Sequence, residues 1–138
     1  MDYKNLIENA LEARKMAYAP YSNFTVGAAL LAANGQIFTG CNIESASFSP
    51  TNCAERTALF TAIAQGVKDF TAIAVVGGKI GETKLDYCAP CGVCRQMLAE
   101  FCTPVEFKVI IAKTENDYLV KTLEELLPMS FGPERLLK

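Results

Sequence analysis

Residues 71–76 read TAIAVV, an almost continuous apolar run of strand length, and this stretch decides the fold class. A strand that is apolar on both faces must be covered on both sides, so it belongs inside a sheet with helices above and below it. Residues 105–112 form a second run of this kind. Two such strands predict an α/β protein built around a central sheet.

Four segments outside these strands have the apolar spacing or the end signals of helices. They are residues 2–18, 53–65, 91–101 and 122–127. Asp2 and Asn52 are the expected N-caps of the first two helices, and Gly66 is placed to end the second. Thr122 and Glu125 have the spacing of a capping box at the start of the fourth.

A hairpin pattern precedes the buried strands. Residues 25–33 and 36–43 flank Asn34-Gly35, the dipeptide typical of a type I′ turn, in which both central residues have positive φ. Residues 118–120 predict an edge strand. A hairpin followed by alternating helices and strands predicts a three-layer α/β/α sandwich with a mixed five-stranded sheet.

Composition indicates an ordinary globular protein. The chain has 138 residues, of which 51% are hydrophobic and 20% are charged, and we expect a single domain over residues 1–138. Its formal net charge is −2, and it lacks the basic run needed to bind a nucleic acid polymer, so a small molecule is the expected partner. Without a secretory signal or an apolar stretch of about 20 residues, we expect no membrane association and a cytoplasmic location.

The chain contains six cysteines and no histidine. Because the cytoplasm keeps thiols reduced, the cysteines indicate metal binding or catalysis rather than disulfides. Cys41 and Cys102 stand among apolar neighbours and are expected to be small buried residues. The lack of histidine excludes Ser-His-Asp and Cys-His catalytic pairs and every histidine-based zinc site.

Cys53, Cys91 and Cys94 lie at the starts of two predicted helices, where the helix dipole favours thiolates. Three thiolates leave the fourth tetrahedral position of a zinc ion open, as in catalytic sites. Cys88 is a possible fourth ligand, which would make the site closed and structural. A proline two residues later favours a loop conformation there, which places Cys88 off the helical face of the other cysteines. Thiolates favour Zn²⁺, with iron as the alternative.

Glu55 and Arg56 each allow two interpretations. With Asn52 as N-cap, Glu55 falls at the position that closes a capping box, yet a metal-bound water also needs a base that no histidine can supply here. Arg56 is either a solvated surface charge or a guanidinium that offsets the charge of three thiolates.

The chain resembles the small homotetrameric members of the cytidine and deoxycytidylate deaminase superfamily. The stretches that carry this likeness are YAPYSNFTVGAAL (18–30), GCNIESASFS (40–49), NCAERTALF (52–60), PCGVCRQ (90–96) and ELLPMSFGPERL (125–136). The resemblance implies one Zn²⁺ per subunit held by Cys53, Cys91 and Cys94, with Glu55 as proton shuttle and Arg56 balancing charge.

The resemblance also assigns the substrate contacts. Asn42 and Glu44 match residues that bind the ribose hydroxyls, and Phe24 and Ala54 match residues of the pyrimidine pocket. Phe131 matches an aromatic residue that reaches a neighbouring subunit's active site, so the implied assembly is a homotetramer whose sites are completed by its neighbours.

The implied reaction is hydrolytic deamination of cytidine and deoxycytidine to uridine and deoxyuridine in pyrimidine salvage, with release of ammonia. In it, zinc-bound hydroxide attacks C4 and Glu55 shuttles the protons. Two alternatives are a related deaminase acting on a cytosine-bearing antibiotic or modified nucleoside, and a non-catalytic zinc-stabilised interaction module. The sequence departs from the family at Phe48, usually Tyr, and at Ala89, usually Ser. Cys88 matches no family ligand and is expected to be a buried structural thiol.

Overall fold

The computed structural model describes residues 2–137 and contains one mixed sheet with helices on both faces. The helices are α1 (Lys4–Arg14), α2 (Ala54–Ala64), α3 (Gly92–Phe101), α4 (Leu123–Leu126) and α5 (Glu134–Leu137), and the strands are β1 (Phe24–Ala32), β2 (Ile37–Cys41), β3 (Phe70–Lys79), β4 (Lys108–Thr114) and β5 (Asp117–Thr122). Within the described range the sheet order is β2-β1-β3-β4-β5. The β3–β4 pair is parallel and the other pairs are antiparallel, which confirms the mixed five-stranded sheet.

Central strand β3 separates two apolar cores. Successive side chains of a strand point to opposite faces of the sheet. Ile73 and Val75 accordingly pack into the core under α2 and α3, whereas Ala74 and Val76 pack into the core under α1. The strand predicted from its apolar run is therefore buried on both faces, and the three-layer sandwich is confirmed.

Helix α1 is shorter than residues 2–18 predicted. Its N-cap position is Tyr3 rather than Asp2, although Asp2 Oδ1 accepts a hydrogen bond from the Lys4 N–H at 2.9 Å. At the other end, Tyr18 leaves the helical path because its N–H donates to the Asn42 carbonyl at 3.0 Å. Tertiary pairing with the far end of the hairpin thus overrides the helical periodicity.

The hairpin forms as predicted, but its turn is of another type. Gly35 has φ +93°, whereas the described non-glycine residues with positive φ are Asn23 and Met129, so Asn34 lacks the positive φ of a type I′ turn. The Gly35 N–H donates to the Ala32 carbonyl at 3.0 Å. This is the pattern of a three-residue loop that ends in a left-handed glycine.

Two other helix signals behave as the sequence predicts. Gly66 has φ +86°, and its N–H closes α2 on the Ile63 carbonyl at 2.9 Å. At α4, the Thr122 and Glu125 side chains make both hydrogen bonds of a capping box. The predicted edge strand is β5, whereas α5 had no counterpart in the sequence pattern.

Strand direction brings the starts of α2 and α3 together. Strands β2 and β3 both pair antiparallel with β1, and β3 pairs parallel with β4, so β2, β3 and β4 all run the same way. Helices α2 and α3 each return the chain from the end of one of these strands to the start of the next. Both helix N-termini therefore lie at the carboxyl edge of the parallel strands, where α/β proteins bind their ligands. None of the helices between residues 2 and 137 has the length and apolar character needed to cross a bilayer.

Helix α2 lies directly against β2 because Gly40 has no side chain. A β-carbon at Gly40 would stand 2.4 Å from the Ala58 nitrogen and 2.5 Å from the Ala54 carbonyl oxygen. Both atoms belong to the helix backbone, which cannot move aside as a side chain can. The position of α2, and of the cysteine that precedes it, depends on this contact.

We expect Gly40→Ala to destabilise the fold by at least about 1–3 kcal/mol, the usual cost of overpacking, because the added methyl group pushes α2 off the sheet. Urea unfolding at constant zinc concentration measures the change. Gly92→Ala is the matched control, since a β-carbon there meets no atom within 4 Å. Equal unfolding midpoints for Gly40→Ala and the parent would contradict the expected clash.

Candidate active site and metal centre

Three cysteine sulfurs meet where α2 and α3 begin. Cys53 is the N-cap of α2, Cys91 is the N-cap of α3, and Cys94 lies in the first turn of α3. The Cys53 and Cys91 sulfurs are 3.7 Å apart, and those of Cys91 and Cys94 are 3.4 Å apart. All three ligand atoms lie within 4.8 Å of one another, and Cys88 is outside this cluster.

This donor set fits a tetrahedral zinc ion. Zinc–sulfur bonds of about 2.3 Å at tetrahedral angles separate two sulfurs by about 3.8 Å, close to the observed distances. A hydrogen bond from the Cys94 thiol lowers the pKa of Cys53 to about 5, and the same bond raises the pKa of Cys94. Hydrogen bonds within the cluster thus favour formation of a thiolate, which attracts a cation.

Arg56 lies against the thiolates rather than in solvent. Its Nη2 donates to the Cys53 sulfur at 3.4 Å. Burial alone would lower the pKa of Arg56, but hydrogen bonds to Cys53 and Cys94 raise it overall. Its Nε is buried and has no hydrogen-bond partner among the described residues. A half-buried guanidinium whose buried Nε is unsatisfied is matched to a centre of high negative charge, such as three thiolates.

Glu55 is buried beside the sulfur cluster, with 4% of its surface exposed. The capping-box interpretation is wrong, because Cys53 is the N-cap of α2 and Glu55 therefore sits at N2, not N3. Asn52, predicted as the cap, instead donates to Thr57 Oγ1 at 3.1 Å. Burial, followed by the negative charge of Cys53, raises the pKa of Glu55 to about 7. Its carboxyl group can therefore both accept and donate a proton near neutral pH.

A cavity of about 320 Å³ opens beside the cluster, within the range typical of small-molecule sites. Its walls come from β1 and the loop before it, the segment that follows β2, the N-termini of α2 and α3, and the loop before α3. They are formed by Ser22, Phe24, Val26, Asn42, Glu44, Thr51, Asn52, Cys53, Ala54, Glu55, Cys88, Ala89 and Cys91. The structure thus brings together seven of the residues singled out from the sequence: Phe24, Asn42, Glu44, Cys53, Ala54, Glu55 and Cys91.

Asn42 and Glu44 are fixed by the backbone around them. Asn42 is buried, accepts from the Val26 N–H at 2.8 Å and donates to the Phe24 carbonyl at 2.9 Å. Glu44 Oε1 accepts from the N–H groups of Tyr21 and Ser22 at 3.0 and 3.1 Å. A hydrogen bond from the Ser22 hydroxyl is the main cause that lowers the pKa of Glu44. Backbone groups thus hold both side chains in fixed positions in the cavity wall.

Cys88 is a half-buried wall residue of the cavity, not the buried structural thiol expected from sequence. Its sulfur and the Phe24 ring lie side by side over Gly77, since a β-carbon at Gly77 would stand 2.9 Å from the Cys88 sulfur and 3.1 Å from the ring. Burial raises the pKa of Cys88 to about 11, so its thiol stays neutral.

Three predicted residues lie away from the cavity wall: Cys94, Phe131 and Arg56, which lies against the Cys53 sulfur. Cys94 is buried behind the wall in the sulfur cluster. Phe131 is 58% exposed, and its carbonyl accepts from Gln96 Nε2 at 2.7 Å. Phe48 also lies outside this cavity, with its ring 6.3 Å from that of Tyr21 in an edge-to-face arrangement.

Similarity to known proteins agrees with this geometry. Residues 1–111 match the family model described as cytidine and deoxycytidylate deaminase zinc-binding region. The chain belongs to this deaminase family. Zinc is accordingly its cofactor, and the cluster of Cys53, Cys91 and Cys94 is the candidate site for the ion.

Individual relatives match over nearly the whole chain. A cytidine deaminase of Sporosarcina psychrophila is 47% identical over 136 residues, covering 99% of this chain and 96% of the relative. One from Halalkalibacterium halodurans is 49% identical over 134 residues, covering 97% of each. The crystal structure of a cytidine deaminase from Burkholderia pseudomallei superposes with a TM-score of 0.84 at 48% identity, covering 95% of this chain and 100% of that one.

Some cavity residues escaped the sequence analysis. Val26 shares a face of β1 with Phe24, two residues earlier, so strand alternation was a usable signal for it. Ser22 lies in a loop and reaches the cavity through its bond to Glu44. Cys88 was expected to be a structural thiol, and its contact with Gly77 places it in the cavity instead. No local pattern in the sequence predicts those contacts.

We expect Cys88→Ala to retain the full zinc content, because the Cys88 sulfur lies outside the ligand cluster. Cys91→Ala should lose most of its zinc, since two thiolates hold the ion far less well than three. Metal analysis of the purified variants measures both. Zinc loss in Cys88→Ala would indicate a closed, four-cysteine site.

We expect Arg56→Met to weaken zinc binding by about 10–100-fold, the usual effect of removing a group that supports a metal ligand. The physical reason is the loss of the charge-assisted hydrogen bond to the Cys53 sulfur. Competition with a chromophoric chelator measures the affinity. Lys68→Met is the control, since it removes an exposed positive charge elsewhere. Equal zinc affinities for the two variants would show that Arg56 has no role at the metal.

Proposed function

We propose that this protein hydrolyses cytidine and deoxycytidine to uridine and deoxyuridine with release of ammonia, in pyrimidine salvage. Cys53, Cys91 and Cys94 hold the zinc ion, one per subunit, and Glu55 moves the protons. The observation that carries the proposal is the buried Glu55 carboxyl group beside a three-sulfur cluster, in a cavity of nucleoside size.

Zinc, when bound, is a Lewis acid that lowers the pKa of a coordinated water from 15.7 towards about 7 in favourable sites. Arg56 assists by offsetting part of the thiolate charge, which would otherwise oppose that shift. Its hydrogen bond to the Cys53 sulfur supports this role.

Glu55 performs the proton transfers in this mechanism. Its carboxylate takes a proton from the water that attacks C4 and delivers it to N3 of the base. It then carries the remaining hydroxyl proton to the amino group, which leaves as ammonia. A pKa of about 7, raised mainly by burial, suits a group that must accept and donate in the same cycle.

The two ends of the cavity orient the nucleoside. Asn42 and Glu44, held in the cavity wall by backbone groups, bind the ribose hydroxyls. Phe24 and Ala54 contact the pyrimidine, which places C4 at the deep end near Cys53 and Glu55. Recognition of the sugar favours a nucleoside over free cytosine.

Assembly into a homotetramer completes the site in this proposal. Met129 and Phe131 expose large apolar side chains on the C-terminal part of the chain, as residues that dock on a neighbouring subunit would. Phe131 reaches the neighbour's cavity. The whole chain acts as a single deaminase domain, since the cavity draws residues from β1 through to the start of α3.

We place the enzyme in the cytoplasm. The six cysteines are free in the structure, and a reducing compartment keeps them so. Three thiolates are needed as zinc ligands, and oxidation to a disulfide would destroy the site.

Incubating the protein with cytidine, deoxycytidine, free cytosine and a cytosine-bearing oligonucleotide, while following the ultraviolet spectrum, tests the proposal. We expect conversion of both nucleosides, with far slower reaction of free cytosine and the oligonucleotide. Turnover of a cytosine-bearing antibiotic in preference to cytidine would identify the related type of deaminase. Zinc-loaded protein that converts none of these would indicate an interaction module.

We expect Glu55→Gln to keep zinc and fold but to lose turnover by at least about 10²–10⁴-fold, because proton transfer by Glu55 enters the cycle more than once. Steady-state rates and zinc content are measured on the same preparation. The uncharged amide preserves side-chain size, so packing is retained. A rate near that of the parent would remove Glu55 from the mechanism.

A further inference from the structure

The turn of α3 that follows the metal cysteines holds the C-terminal part of the chain. Arg95 Nε donates to the Pro90 carbonyl at 2.7 Å, and its Nη1 donates to the Leu126 carbonyl at 2.7 Å. Gln96 Nε2 donates to the Phe131 carbonyl at 2.7 Å. These bonds connect the residue immediately before Cys91 with a segment more than 30 residues away, which we name the C-terminal arm (residues 126–132).

Arg95 connects backbone to backbone. Both of its acceptors are main-chain carbonyls, and Pro90 is fully buried. The guanidinium group is planar and rigid, so a bond at Nε fixes the direction in which Nη1 points. A displacement of the Pro90 carbonyl therefore turns the Nη1 donor away from Leu126.

The C-terminal arm is anchored at its start, where Leu126 and Leu127 pack against the core under α2 and α3, but its later residues are exposed. Met129 has φ +54°, a left-handed conformation that residues with a side chain rarely adopt, and its side chain is fully exposed. Phe131 is also exposed, so neither side chain anchors the arm within the subunit. The Arg95 bond therefore adds to the core packing at Leu126, and the Gln96 bond holds the exposed end at Phe131.

We propose that Arg95 is a positioning residue that couples metal binding to the docking of the C-terminal arm. The inference rests on the proposed role of Cys91 as a zinc ligand. Metal on the Cys91 sulfur fixes the loop that contains Pro90. The Pro90 carbonyl then orients the guanidinium group of Arg95, and this group holds the Leu126 carbonyl. Linkage makes the effect reciprocal, so a docked arm strengthens the hold on the metal by the same factor.

The coupling gives the arm a function in the assembled enzyme. Phe131 belongs to the arm and is proposed to complete a neighbour's active site. A subunit that loses its metal therefore presents Phe131 less well to that neighbour. Metal occupancy in one subunit then influences the substrate site of another through Arg95.

Three matched substitutions to methionine test the coupling in the zinc-loaded, full-length protein. Arg95→Met removes both backbone bonds, Gln96→Met removes only the bond to the arm, and Lys68→Met is the control. Zinc release to a chromophoric chelator should accelerate about 10–100-fold in Arg95→Met and at least about 5-fold in Gln96→Met. The control should stay within about twofold of the parent.

The reverse direction is tested by stripping zinc from the parent protein. Chymotrypsin cleavage at Met129 and Phe131, mapped by mass spectrometry, should rise at least about 5-fold relative to cleavage at Leu119 in β5. A purely structural role of Arg95 would lower the urea midpoint without this localised change. Arg95→Lys, which can still reach one carbonyl, should restore part of the parental zinc retention.

Gln96→Met is the decisive variant. The Gln96 side chain donates to the Phe131 carbonyl and not to the Pro90 carbonyl, so this variant changes the C-terminal arm without changing the bond to Pro90. Parental zinc release in this variant would overturn the coupling, even with an effect in Arg95→Met, since Arg95 would then act on Pro90 alone. The coupling would also be overturned if zinc removal left the rate of cleavage in the C-terminal arm unchanged. This test uses the parent protein, so it holds even if Arg95→Met fails to fold. A parent that retains no zinc would overturn both the inference and the proposed function, whereas retained zinc with unaffected variants would overturn the inference alone.

Discussion

The meeting of two helix N-termini at one edge of the sheet is the constraint on which the rest of the site depends. Because β2, β3 and β4 run in the same direction, the crossover helices α2 and α3 must both begin at the carboxyl edge. Their first residues then bring the sulfurs of Cys53 and Cys91 to 3.7 Å. Unsatisfied backbone N–H groups at both ends favour the thiolate form. Strand topology thus creates the metal centre.

Burial gives the neighbouring carboxyl group its chemistry. Glu55 follows Cys53 by two residues on α2, so the helix that supplies a ligand also carries the proposed proton shuttle into the interior. Removal from water raises its pKa to about 7. An exposed glutamate would remain ionised at neutral pH and would be a poor proton donor. The contact of Gly40 with α2 matters here as well, because it sets how deeply the helix lies.

Long-range hydrogen bonds connect this centre with the ends of the chain. Glu44 ties the segment after the hairpin to the loop at Tyr21 and Ser22, which forms part of the cavity wall. On the other side, Arg95 ties the loop before Cys91 to Leu126. Each bond ends on a backbone group, so it fixes chain position rather than balancing charge. The site is rigid because segments distant in sequence are held to it directly.

The sequence by itself determined the order along the chain of the five strands and of helices α1 to α4, the capping box at α4 and the kind of metal chemistry. These follow from local periodicity, short-range hydrogen bonds and composition, above all from cysteines without histidine. Tertiary structure decided the N-cap of α2, the place of Cys88 in the cavity wall and the hold of Arg95 on the C-terminal arm. Each of these depends on distances between segments far apart in the chain. A local pattern contains no such distances, because packing of the whole fold sets them.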